Sequence, residues 1–106
     1  KNKAYLTAAI DQLDYILGRN HFNQTFVTGI GTNPVENINH ILAIVKKVNL
    51  PGLLVGGPNG DALDGLVPRN KGQLSYIDDR RSYNTNQYTI DKNASLISLI
   101  TNLIAE

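Results

Sequence analysis

Residues 76–94, YIDDRRSYNTNQYTIDKNA, gather the side chains of this sequence best suited to chemistry. Asp78 and Asp79 form an acidic pair. Arg80 and Arg81 follow, then Tyr83, and Gln87 stands nine positions after Asp78. A turn-held Asp and a group that far along the chain can converge on one cleft. Breaking a glycosidic bond commonly needs two carboxyl groups, one as acid and the other as base or nucleophile. Aromatic rings alongside, Tyr76, Tyr83 and Tyr88, would stack on sugar faces. Position 87, where a second carboxyl would make chemical sense, holds an amide. Taken alone, these residues read first as a solvated charged loop leading into a helix cap.

Other patterns carry less. GIGTNP, from Gly29, lacks the third glycine of a dinucleotide loop and sits in no strand-to-helix pattern. GGPNGD, from Gly56, lacks the Gly-Lys-Ser/Thr of a phosphate loop. Asp61 and Asp64 flank a turn but supply too few oxygens for calcium. His21 and His40 are too far apart for a helical metal pair, so no metal or cofactor is expected. Asn23-Gln24-Thr25 and Asn93-Ala94-Ser95 fit the N-glycosylation triplet, which is common by chance, and the second is expected on a packed helix.

Two helices are expected to frame these loops. From about Lys3 to Leu17, Leu6, Ile10, Leu13 and Leu17 recur three or four residues apart, and Gly18 is a natural stop. From about Asn93 to Ala105, Leu96, Leu99, Ile100, Leu103 and Ile104 make a broad apolar face. A short helix is expected near Ile38–Val48. NQTFVTGIGTNPV reads as extended chain broken by Gly and Pro, and LPGLLVGGPNGDALDG as a run of turns. Irregular chain of this length is uncommon in a self-contained small domain. Two or three helices cannot bury enough surface to offset its ordering entropy. Much of the supporting core is therefore expected to lie outside this chain.

Composition sets the outer limits. The chain has 106 residues, room for one small domain, with 42% hydrophobic and 18% charged residues. Ten basic and nine acidic residues give a net charge of +1, which implies no nucleic-acid or anionic-membrane partner. The longest aliphatic runs, such as Ile41–Val45, are too short to span a bilayer. Without cysteine there are no disulfides, thiolate metal sites or cysteine nucleophiles. No charged-then-apolar leader opens the chain. An opening of KNKAYL without methionine is expected of a processed product or a piece of something longer, and the loop-heavy organisation favours the piece.

Four stretches, in order, resemble the C-terminal part of the catalytic domain of glycoside hydrolase family 9, the cellulase and endo-β-1,4-glucanase family. LDYILGRN, Leu13–Asn20, resembles the helix end D-Y-I-L-G-x-N. TFVTGIGTNPVENINHI, Thr25–Ile41, resembles S-Y-V-T-G-x-G-x-N-P…H-H-R. PGLLVGGPNGD, Pro51–Asp61, resembles P-G-x-L-V-G-G-P-N. YIDDRRSYNTNQYTIDKNA, Tyr76–Ala94, resembles the acid motif Y-x-D…Y-x-x-N-E-x-x-I-x-x-N-A.

The resemblance implies a mainly α fold with long irregular loops. This would be the C-terminal segment of an (α/α)6 barrel, incomplete on its own, filling residues 1–106 with no second domain. The family's base, an Asp of a D-x-x-D motif, would lie upstream of Lys1; DALD at Asp61 is in the wrong setting. The acid motif's Glu falls on Gln87, whose carboxamide keeps the shape but is no useful proton donor near neutral pH. In H-x-R, the first His is Asn39 and the Arg is Ile41, while His40 keeps the place between them. Asp78 and Tyr83 match the pattern, Asp78 shaping the site and Tyr83 lying near the sugar path. Asp78 and Asp79 are the candidates for a substitute acid. The chain has no Trp, so a sugar platform would fall to Tyr76, Tyr83, Tyr88 or upstream residues.

Three functions stay open at this stage: the C-terminal piece of a family hydrolase, inactive alone; a degenerate glycan-binding or structural module; and a segment that completes a barrel with another chain. The expected partners are a β-1,4-linked glucan or related glycan, and either the upstream part of the barrel or a second copy. Secreted or periplasmic location and inverting stereochemistry are what the family implies.

Overall fold

The computed structural model describes residues 2–105. Every regular element in that span is a helix. Helix α1 spans Lys3–Ile16 and α2 spans Ile41–Lys46. A single 3-10 turn covers Gly72–Leu74, and α3 spans Ile90–Ile104.

Each helix boundary has a local cause. Asn2 caps α1 by accepting the Ala4 N–H at 2.9 Å, and Leu17 and Gly18 close it where the glycine was expected to. The short helix is trimmed to Ile41–Lys46 from the expected Ile38–Val48. Asn39 is engaged in an extended bridge with Gln87, and His40 caps the helix by accepting the Leu42 N–H on Nδ1. Lys47, at φ 53°, ends it in the left-handed region. Helix α3 starts at Ile90, three residues before the expected Asn93. Asn93 resembles a cap in sequence, yet its side chain lies inside the first turn and is spent elsewhere. It accepts from Leu54 N at 2.8 Å and donates to Leu54 O at 3.1 Å and Thr89 O at 2.9 Å. This clasp pins α3 to the loop body and buries the amide of the second glycosylation triplet, as a packed helix requires.

The small core that is present lies mostly in the loops. The irregular residues 18–89 bury a cluster of their own, while the helix faces stay largely uncovered. Phe26, Val35, Ile38, Val55 and Tyr76 are buried together, with only Ala43 contributed by a helix. Phe26 packs edge-on to Tyr76 with ring centres 5.0 Å apart, and Tyr15 and Phe22 extend the aromatic cluster. Isolated bridges stand in for a sheet: Thr25 with Pro34, Val27 with Leu54, Asn39 with Gln87. The glycines of GIGTNP serve close packing. A Cβ on Gly29, φ +71°, would come within 2.7 Å of Pro51, and one on Gly31, φ +82°, within 2.6 Å of Thr25.

Helices α1 and α3 lie side by side on this body, with the opposite bias. No residue of α1 is buried, and α3 buries only Asn93 and Leu96. Tyr5, Ile97 and Ile104 are exposed. Between the helices runs an open apolar groove of about 270 Å³, lined by Tyr5, Leu6, Ala9, Leu99 and Leu103.

Candidate functional site

Three stretches of loop converge around Asp78: residues 36–40, 76–81 and 84–88. The Asp78 carboxylate is the knot. One oxygen accepts the Asn37 N–H at 3.0 Å and the Asn86 amide at 2.9 Å. The other accepts the Glu36 N–H at 3.0 Å and, at 3.5 Å, the Gln24 amide. Asn86 is fully buried and completes the bracket, donating to Asn37 O and accepting the Tyr76 hydroxyl. Burial, reinforced by the neighbouring Asp78 charge, pushes the Tyr76 phenol far above its ordinary range, so it stays a neutral donor.

Asn39 ties the bracket to position 87. Its N–H donates to Asn86 O at 2.8 Å, its carbonyl accepts the Tyr88 N–H at 3.2 Å, and its side-chain amide donates to Arg80 O at 2.9 Å. Gln87 therefore lies directly across an extended bridge from Asn39, with its own side chain exposed. His40 follows, its ring 5.0 Å from the Tyr88 ring at 60°. The bond to Leu42 N occupies Nδ1, which leaves Nε2 to carry the proton of the neutral ring.

A second bracket holds the approach to Gln87. Asp64 accepts the Ser82 hydroxyl at 2.5 Å, the Asn84 N–H at 3.1 Å and the Leu66 N–H at 3.0 Å. Partial burial raises the Asp64 carboxyl, but the hydrogen bonds from Ser82, Leu66 and Asn84 outweigh it and hold the group below its ordinary value. Tyr83 belongs to this bracket: half exposed, it donates its hydroxyl to Leu63 O at 2.9 Å.

Asp78, Asn39, His40 and Gln87 are thus joined through backbone and amide bonds, while Tyr83 is tied to a separate loop. Asp79 is half-buried and forms a two-pronged ion pair with the exposed Arg81, at 2.7 and 3.1 Å, which lowers its carboxyl to about 2. Asn86 and Asn37 were not singled out from sequence, and Asp64 was weighed only as a calcium ligand. Among the described residues no cluster of His, Asp or Glu is arranged to hold a metal ion, and no helix is long and apolar enough to cross a membrane.

The sequence profile of glycosyl hydrolase family 9 matches residues 1–100. The chain belongs to glycosyl hydrolase family 9. It is 40% identical over 104 residues to a xyloglucan-specific endo-beta-1,4-glucanase of Bacteroides ovatus, covering 95% of this chain and 18% of that protein. It is 32% identical over 105 residues to endoglucanase D of Acetivibrio thermocellus, covering 97% of this chain and 15% of that one. Among solved structures it superposes on a metagenome-derived glycoside hydrolase family 9 endoglucanase with a TM-score of 0.91 at 40% identity, covering 96% of this chain and 19% of that one. The family 9 chain therefore spans less than a fifth of the length of these relatives.

Proposed function

We propose that residues 1–106 form the C-terminal, active-site segment of a family 9 catalytic domain of (α/α)6 barrel type. The segment would contribute the acid-side loops of a cleft for a β-1,4-linked glucan or a related glycan. The observation that carries the reading is the place of Gln87. It is exposed, held by backbone across from Asn39, and sits where the family's acid motif has Glu. A carboxamide there can hold a glycosidic oxygen by a hydrogen bond but cannot protonate it. With the base expected upstream, the chain by itself is inactive.

The geometry gives no support to a substitute acid. Both Asp78 oxygens accept N–H groups, and Asp79 is ionised against Arg81. Asp78 is better read as the brace that fixes 36–37 against 86 and so shapes the site. His40 and Tyr88 present a paired ring surface beside Gln87, and Tyr83 lies further along the same loop. The groove between α1 and α3 is read as the seat of the upstream barrel helices or of a second copy. By kinship the whole protein is secreted or periplasmic.

A second reading, a degenerate glycan-binding or structural module, is favoured by Asn39. Its amide is already spent on the Arg80 carbonyl, so it braces a loop where the family's His would meet substrate.

Reducing-sugar release from soluble cellulose derivatives tests the proposal. The chain alone should release none. With the upstream barrel present, Gln87→Glu should raise the rate by about 10²–10⁴-fold, the usual worth of acid assistance. Asn39→His with Ile41→Arg should add to it through substrate positioning. Turnover by the chain alone that disappears in Asp78→Asn would overturn the assignment and make Asp78 the acid.

A further inference from the structure

Asn59-Gly60 is the one place in the sequence where glycine follows asparagine. A glycine there leaves its amide nitrogen unshielded by a Cβ. The structure adds further conditions. The Asn59 side chain folds forward, its Oδ1 accepting the Asp61 N–H at 3.1 Å, which lays the carboxamide over the intervening Gly60 peptide. Among the described residues the Gly60 N–H has no acceptor, and the Asn59 Nδ2 has no partner. Asn59 is half-buried, so water still reaches it. The backbone around the pair is held. The Asn59 N–H donates to the carbonyl of buried Ser75 at 2.8 Å, and the Asn59 carbonyl accepts the Asn84 side chain at 3.2 Å. The Gly60 carbonyl accepts the Asn70 N–H at 3.0 Å. Asp64-Gly65 folds forward in the same way, onto the Leu66 N–H. Its carboxylate, however, also accepts the Ser82 hydroxyl and the Asn84 N–H, and an ionised carboxylate is a poor electrophile.

We propose that Asn59 is a site of self-modification, converted without any enzyme to aspartate and isoaspartate. The Gly60 nitrogen attacks Asn59 Cγ. The N–Cγ bond forms and the Cγ–Nδ2 bond breaks, so that Nδ2 leaves as ammonia with the Gly60 amide proton and a five-membered imide remains. The Asp61 N–H that holds Oδ1 stabilises the negative charge gathering on that oxygen during the attack. A held backbone keeps the two reacting groups together. Water then opens the imide. Opening at Cγ restores the backbone with an aspartate side chain, which can still accept the Asp61 N–H. Opening at the main-chain carbonyl gives isoaspartate, whose backbone runs through the former side chain and is longer by a methylene group. That product displaces the carbonyl that Asn84 uses, and Asn84 is also the residue whose N–H Asp64 holds. The stretch carrying Tyr83 towards Gln87 loses part of its bracket. The inference is independent of any glycan.

The test is incubation of the purified chain at mildly alkaline pH, followed by peptide mapping with mass spectrometry and by isoaspartate-specific enzymatic methylation. The peptide holding residues 59–60 should convert to both products while the peptides holding the other asparagines stay intact. Mildly acidic buffer should slow the conversion, because the attacking nitrogen must give up its proton. A parallel sample in urea removes the fold, and the native chain should convert at least as fast. In Gly60→Ala the added Cβ would meet only ordinary contacts, 3.7 Å from Asn70 and Ser75, so the variant should fold and keep its asparagine. Should it fail to fold, Asn59→Gln decides, since its longer side chain should hold its amide over the same period. The aged wild-type chain should melt lower than the fresh one, whereas Asn59→Asp, which carries the charge on a normal backbone, should not. Conversion no faster than at the other asparagines would overturn the proposal, and so would conversion undiminished in Gly60→Ala. Slower conversion in the native chain than in urea would overturn the part given to the fold. An aged chain that melts like the fresh one would overturn the link to the Tyr83 loop.

Discussion

The helix pair and the loop body of this chain invert the usual division of labour. Helices α1 and α3 are regular, yet α1 buries no residue and α3 buries two. Residues 18–89 are mostly irregular, yet they hold all of the aromatic cluster but Tyr15, the aliphatic core and every side chain of the candidate site. Helical backbone satisfies its own hydrogen bonds and can stand without close cover. Irregular backbone cannot, and here its bonds go to the buried amides of Asn86 and Asn93 and the half-buried carboxylates of Asp78 and Asp64. Regularity and burial are separate properties. In this chain the loops of the candidate site are the solid part, and the helices leave an apolar groove open between them.

The contrast can be broken most decisively in the loop core. Ile38→Ala and Val55→Ala should each destabilise the chain by about 2–5 kcal/mol, as large-to-small changes in a packed core do, while Ile104→Ala at the exposed end of α3 should stay within about 0.5 kcal/mol. Urea unfolding compares the three. Similar losses at all three sites would mean that the helices share the core after all.

A smaller effect is expected at the Asp78 bracket. Asn86→Ala leaves the Tyr76 hydroxyl and part of the Asp78 carboxylate without partners, a cost of about 1–3 kcal/mol. Asn102→Ala, on the exposed helix surface, removes only bonds to the Ser98 carbonyl and hydroxyl and should be nearly silent. Near-ultraviolet circular dichroism, which reads the tyrosines, should report the first change and miss the second.

Acid should separate the regions further. Asp64 has its folded-state carboxyl below the ordinary value of 3.8. Its contribution is therefore fully present above about pH 4 and is lost as pH falls through the folded value. Asp79, lowered to about 2, follows the same sign, but its partner Arg81 is exposed and the ion pair is screened by solvent. Melting curves from pH 5 down to pH 2 should show the tyrosine signal weakening. Asp64→Asn should flatten that dependence, and an unchanged slope would remove Asp64 from the account.

The smallest stability effect should accompany a clear change in assembly. Leu99→Gln, in the groove between α1 and α3, should alter stability little and reduce self-association measured by light scattering. A wild-type chain that remains a monomer at micromolar concentration would mean that the groove needs no cover.

Much of the chain was legible before folding because local signals are strong where backbone repeats. The stripe Leu6–Ile10–Leu13–Leu17 with Gly18 located α1 to within a residue. Asn93 misled because the same side chain that caps helices can also clasp a loop, and only the approach of Leu54 decides which. The loop cluster has no such local signal, for a related reason. Phe26, Ile38, Val55 and Tyr76 are scattered through turns with no period, so nothing in their spacing announces that they meet.

The sequence by itself determined the family, the two long helices, the amide at position 87 and the absence of cysteine and tryptophan, since each is a matter of residue identity or short-range spacing. Tertiary structure alone decided what those residues do together. It sealed both Asp78 oxygens with donors from three separate stretches. It tied Tyr83 to Leu63, and it paired Asp79 with Arg81. Hydrogen bonds spanning 41 or 42 residues, such as those from Asn37 and Glu36 to Asp78, have no local signature. They exist only once chain closure has brought distant loops within three ångströms, and that closure is driven by burial rather than by the residues that profit from it.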